Sequence, residues 1–178
     1  MAHLTPMTPA DEQAITNQLG RMPRGVAGIA WRCVCGEPGV VATEPRLSDG
    51  TPFPTTYYLT CPRVTSAVST LEASGLMVEM SERLTTDQEL ATAYRAAHEA
   101  YLADRRLLGE VPEIEGISAG GMPTRVKCLH VLVGHSLAVG PGVNPLGDEA
   151  VELLADFFER HARHAVQGVP QQDQQGRA

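Results

Sequence analysis

The chain has 178 residues, of which 43% are apolar and 20% charged; this is ordinary globular composition, one domain by length, and it excludes a wholly disordered chain. Aromatics are only 4%, so the core has to be built from Ala, Val and Leu. A net charge of −7 argues against nucleic acid as a partner, since such binders carry excess Lys and Arg. No apolar run approaches the ~18–20 residues that cross a bilayer, which argues against a membrane protein. The opening MAHLTPMTPADEQ has no basic stretch leading into an apolar one, so it does not read as a signal peptide and the expected location is cytoplasmic.

Residues 8–20 read as a short helix. Thr8 is a good N-cap, Pro9 suits the first helical position, Asp11 and Glu12 complement the helix dipole, and Gly20 can end it. Ile15 and Leu19 give it only a thin apolar stripe. Residues 25–33 (GVAGIAWRC), 40–46 (VVATEPR) and 53–61 (FPTTYYLTC) read as strands, separated by the turn segments VCGEPG and LSDGTP. The simplest arrangement is a three-stranded antiparallel meander. Helices follow. One opens at Pro62, with Val64, Val68 and Leu71 on one face and a stop at Gly75; LMVEMSERL continues beyond it. The next runs from about Asp87 to Leu108, with Leu90, Tyr94, Ala97 and Tyr101 at helical spacing. Residues 109–123 form a long loop with four glycines, and loops of that length in a small domain are often functional. A helix from about Thr124 to Val139 and a last one through Val151, Leu154, Phe157 and Phe158 complete the pattern. The expected fold is therefore α+β, a small three-stranded antiparallel sheet packed by about five helices. It forms a single domain over 1–165, with 166–178 a polar, disordered tail.

The four cysteines carry the functional argument. Stable disulfides are rare in a reducing compartment, so Cys33, Cys35, Cys61 and Cys128 are inert core thiols, metal ligands or reactive groups. In a meander the ends of strands one and three lie at the same edge, which brings Cys33 and Cys61 together. By strand alternation Cys33 shares a face with Ile29 and Trp31, and Cys61 with Phe53, Tyr57 and Leu59. Cys61 precedes Pro62 at a helix start, and Cys128 falls in the first turn of the helix expected from Thr124; helix N-termini favour thiolate, the form that binds metal. If the helix is already formed at Cys128, His130 points away from it and His135, seven residues on, becomes its partner. If 128–130 is still a turn, Cys128 and His130 can share an ion. Tetrahedral zinc takes Cys₄ or Cys₃His sets. The expected ligands are thus Cys33, Cys61 and Cys128 with one of His130, His135 or Cys35, and zinc is the expected cofactor. An iron–sulfur cluster is the lesser alternative because the spacing matches no ferredoxin pattern.

A second candidate feature is the run Gly116-Ile117-Ser118-Ala119-Gly120-Gly121, which leads into a helix start bearing Arg125 and Lys127. Backbone amides at a glycine-rich helix entry hold anions, so Gly120, Gly121, Arg125 and Lys127 are the expected anion-binding residues and a small anion the expected ligand. No P-loop, nucleophile elbow or dinucleotide fingerprint is present. His98 lacks the second histidine of a zinc-protease helix, and His161 and His164 read as cations suiting a helix C-terminus.

The stretches LGRMPRGV (19–26), RCVCGEP (32–38), DGTPFPTTYYLTCP (49–62), SAGGMPTRVKCLHVLVGH (118–135) and NPLGDEA (144–150), in this order, resemble a bacterial family described only as domain of unknown function 501. The resemblance covers roughly residues 10–155 and implies a small cytosolic protein, but no activity. Its blocks contain Cys33, Cys61, Cys128, His130 and His135. The leading expectation is a soluble metal-binding protein, structural or, with an anionic substrate beside the metal, catalytic. The alternative from another class is a protein-interaction module whose cysteines are core. The oligomeric state stays open.

Overall fold

The computed structural model describes residues 1–167; apart from its first two residues, the expected tail lies outside them. The first helix, α1 (Pro9–Leu19), starts where the sequence places a cap. The Thr8 hydroxyl accepts from the Asp11 N–H at 3.2 Å, and the Asp11 carboxylate accepts from the Thr8 N–H at 3.0 Å. Gly20 ends the helix at φ +67, in the left-handed region that favours glycine.

Three strands follow in the meander order β1 (Val26–Arg32), β2 (Pro38–Thr43) and β3 (Tyr57–Leu59), antiparallel throughout. Alternation fails along β1. Its pairing with β2 shifts register between Val26 and Gly28, Ile29 and Trp31, and Trp31 and Arg32, and each irregularity moves the following side chains relative to the pleat. Ile29 therefore joins Val41 and Ile15 beneath α1 on one face, while Cys33 joins the main core on the other. The expectation that Cys33 shares a face with Ile29 is corrected by these bulges. Tyr57, Leu59 and Cys61 do share the main-core face. Every residue of β2 is buried, because both faces of the central strand are covered.

The helical layer consists of α2 (Pro62–Ala73), α3 (Leu76–Thr86), α4 (Gln88–Leu108), a single 3₁₀ turn (Pro112–Ile114), α5 (Leu129–Val139), α6 (Pro145–Leu153) and α7 (Ala155–Gln167). Seven α-helices stand among the described residues where about five were expected, since the segment after Pro62 divides at Gly75 and the last one divides at Leu154. On α4, Tyr94, Ala97 and Tyr101 are fully buried, the stripe read from their spacing. The Tyr101 hydroxyl accepts from the Thr56 N–H at 2.6 Å, and the Tyr57 hydroxyl donates to Asp104 at 2.7 Å, tying α4 to the start of β3. The central helix α5 begins at Leu129 rather than near Thr124. It lies on β3, where Gly134 allows close approach: a Cβ there would stand 3.2 Å from the Tyr57 carbonyl oxygen.

Candidate metal centre

Cys33 ends the first strand. Its N–H donates to the Glu37 carbonyl at 2.9 Å and its carbonyl accepts from the Gly36 N–H at 2.8 Å. The chain can turn this tightly because Gly36 adopts φ +89. The turn folds Cys35 back beside Cys33, with the Cys35 N–H directed at the Cys33 sulfur. Cys61 is the N-cap of α2, and Pro62 occupies the first helical position. The Arg63 and Val64 N–H groups at the helix start point at the Cys61 sulfur, as orphan helix donors do toward an anion. On α7, the buried His161 places Nε2 at 3.9 Å from the Cys61 sulfur. Its ring stacks on Phe157 at 5.5 Å between centroids.

The donor atoms of Cys33, Cys35, Cys61 and His161 all lie within 4.8 Å of one another. Bonds of about 2.3 Å to sulfur and about 2.0–2.1 Å to nitrogen put two donors of a tetrahedral ion roughly 3.5–3.8 Å apart. The set closes on such an ion with shifts of a few tenths of an ångström to about one. Its protonation points the same way. The Cys33 and Cys61 sulfurs lie within 4.8 Å of each other, and the neighbouring Cys33 thiol, with the helix-start amides and His161, pulls Cys61 well below the ordinary thiol range. The same contact and burial push Cys33 up. Two sulfurs this close share one proton because two neighbouring anions repel, and a cation can take that proton's place. His161 Nδ1 is buried with no hydrogen-bond partner.

Cys128 belongs to a different group. It caps α5 in an extended conformation, so 128–130 is a turn into the helix, and its sulfur lies 3.8 Å from His130 Nδ1. Glu72 completes the group: its Oε1 stands 3.1 Å from His130 Nδ1 and accepts from the Leu129 N–H at 2.7 Å. Donor atoms of Glu72, Cys128 and His130 lie within 4.8 Å of one another, and all three residues are half-buried. His130 Nε2 faces the Thr65 carbonyl at 3.2 Å and Ser69 Oγ at 3.3 Å. The Cys128 sulfur and the Glu72 carboxylate hold its pKa up at about 9. Cys61 and Glu72 sit on one helix eleven positions apart, about 16 Å along its axis at 1.5 Å per residue. That separation keeps Cys128 out of the first group, correcting the single set of Cys33, Cys61 and Cys128.

His135 is in neither group. It is fully buried, stacked on Tyr57 at 5.7 Å and edge-on to Tyr101 at 5.1 Å, with Nδ1 3.3 Å from Asn144 Nδ2. Burial lowers its pKa to about 4, so it is a neutral core side chain. The glycine-rich loop also differs from the sequence reading. The N–H groups of Arg125 and Lys127 donate to the carbonyls of Gly121 and Gly120 at 3.2 and 2.7 Å. Those of Val126 and Leu129 donate to Ser81 and Glu72. Those four amides are occupied, and the Arg125 and Lys127 side chains are exposed. Gly120 and Gly121 serve the turn itself: both have positive φ, and a Cβ at Gly121 would stand 2.7 Å from the Arg125 carbonyl oxygen.

Sequence reasoning missed His161 and Glu72. Both are ordinary helix-surface types in the sequence, one 100 residues from the sulfur it approaches. Only the docking of α7 and of α5 against α2 makes them neighbours of the thiols.

Fold and site together define a small α+β protein with two separate cysteine–histidine groups. A family model described as protein of unknown function (DUF501) matches residues 29–152, and the chain belongs to that family. The matched segment contains Cys33, Cys35, Cys61, Glu72, Cys128 and His130 and ends before His161. No curated protein and no solved structure matches the chain.

Proposed function

We propose that this protein binds one structural zinc ion through Cys33, Cys35, Cys61 and His161. One observation carries the reading: three thiols and an imidazole, from the β1–β2 turn, the start of α2 and α7, have their donor atoms within 4.8 Å of one another. Three sulfurs and a nitrogen are the Cys₃His set of closed tetrahedral zinc. Four protein donors leave no place for a substrate, and burial of Cys33, Cys61 and His161 keeps solvent away, so the role is to hold the fold rather than to catalyse. The same burial, with Cys61 only 3% exposed, disfavours a cysteine nucleophile despite its low thiol pKa.

Elemental analysis of protein purified without an affinity tag or chelator tests this. Zinc is expected, with one equivalent per chain lost in Cys61→Ser and in Cys33→Ser, and a lower melting temperature once that equivalent is removed. Zinc content indifferent to both substitutions, or an unchanged melting temperature after metal removal, would overturn it. Iron with acid-labile sulfide in place of zinc would instead identify a cluster protein.

A further inference from the structure

We propose that Glu72, Cys128 and His130 form a second, open site for a divalent transition metal, distinct from the closed Cys₃His set. The donors are an oxygen, a sulfur and a nitrogen, with His130 Nδ1 3.1 Å from Glu72 Oε1 and 3.8 Å from the Cys128 sulfur. These spacings bracket those of two ligands on one tetrahedral ion.

The supporting contacts are those of a metal site. A metal-bound imidazole normally gives its other ring N–H to a carbonyl or carboxylate, which fixes the ring and the nitrogen it presents. His130 Nε2 does this toward the Thr65 carbonyl at 3.2 Å, leaving Nδ1 to face Cys128 and Glu72. The Leu129 N–H holds Glu72 Oε1 at 2.7 Å, so the carboxylate is anchored too. Cys128 is placed by its role as N-cap of α5, whose first turn lies against the second half of α2. Two packed helices thus hold all three donors without help from a flexible loop.

Three protein ligands leave one position of a tetrahedral ion to water or a small anion, which is how catalytic zinc differs from structural zinc. All three residues are half-buried, whereas in the first set only Cys35 is half-buried and Cys33, Cys61 and His161 are buried. Solvent therefore reaches this ion more readily than the first. The chemical class of its exchangeable ligand is a water molecule or a small inorganic anion.

Cobalt(II) titration of the metal-free full chain tests the proposal, with azide as the anion probe. The wild type is expected to take up two equivalents. The one lost in Cys61→Ser should show the sulfur-to-cobalt absorption of several thiolates, and the other that of a single thiolate. Cys128→Ser, a conservative change at a helix N-cap, should abolish the single-thiolate absorption and weaken that equivalent by at least about tenfold, leaving the other unchanged. His130→Gln should also weaken it. Azide should alter only the spectrum of the equivalent that depends on Cys128. A second equivalent indifferent to both Cys128→Ser and His130→Gln, or its absence from the wild type, would overturn the site; its persistence in Cys61→Ser shows that it stands independently of the first. A Cys128-dependent equivalent that azide leaves unchanged would overturn the open position.

Discussion

Two histidines five positions apart on α5 are held in opposite charge states. His130 sits against Cys128 and Glu72, which raise its pKa to about 9. His135 is enclosed by two tyrosine rings, and burial lowers its pKa to about 4. Their contributions to stability depend on pH with opposite signs. In the metal-free protein the His130 contribution is complete below the ordinary histidine value near 6.5 and is lost as pH rises through about 9. That of His135 is complete above 6.5 and is lost as pH falls toward about 4, on the order of 3 kcal/mol. Imidazole NMR titration of the metal-free chain should show His130 protonated and His135 neutral at pH 6.5; the reverse assignment would refute the account. Asp11 adds a third case. Its carboxylate, only 8% exposed, takes two hydrogen bonds from Arg32 at 2.8 and 3.0 Å. Those bonds hold its pKa well below the usual carboxylate range, so this contribution is complete above about pH 4 and lost as pH falls further. Asp11→Asn should cost about 1–2 kcal/mol at pH 7 and less at pH 2, measured by urea unfolding at both.

At the scale of elements, α5 and α6 pack closely at Gly147. A Cβ at Gly147 would stand 2.4 Å from both the Leu132 carbonyl oxygen and Ser136 Oγ. The backbones cannot separate without opening the core around the fully buried Leu132 and Leu146. Gly147→Ala should therefore destabilise the protein by roughly 2–4 kcal/mol, whereas the same change at an ordinary helical glycine is neutral or stabilising; a melting temperature equal to wild type would refute the steric reading. Neither Gly134 nor Gly147 stands out in the sequence, because close approach is a property of two elements and the pattern of one does not contain it. What local chemistry controls was legible. The Thr8 cap with Pro9 and Gly20 and the Tyr94–Tyr101 stripe depend on residues within a turn or two of one another, and the structure has them. The meander was legible for the same reason, and it brought Cys33 and Cys61 together. The register shifts in β1, the delayed start of α5 and the pairing of Cys61 with His161 depend on tertiary packing. The start of α5 is the instructive case: Arg125 and Lys127 bond back to Gly121 and Gly120, so the loop closes on itself before the helix begins. The ligand sets changed with that boundary.

Across the whole molecule, the Cys₃His group sits where three separately packed parts meet: the β1–β2 hairpin, the junction of β3 with α2, and α7. Its removal should act at a distance from the ligands, mainly on α7. That helix follows the break at Leu154 and carries His161 together with Phe157 and Phe158, which pack against the main core. Metal bonds to Cys33, Cys35 and Cys61 would hold it through His161. The single tryptophan of the chain, Trp31, reports on this docking, because its ring meets Phe158 edge-on at 6.1 Å between centroids. Stripping the proposed ion should loosen α7, expose Trp31 and shift its emission to longer wavelength. Amide exchange in 155–163 should rise well before exchange in α4 or α5, since local opening costs less than global unfolding. His161→Ala should reproduce both changes without a chelator and become insensitive to added zinc. Cys128→Ser should show neither change, because that sulfur lies with the group at the far end of α2. Unchanged tryptophan emission and amide exchange on zinc removal, in protein shown by elemental analysis to have lost it, would mean that the ion does not tie α7 to the sheet.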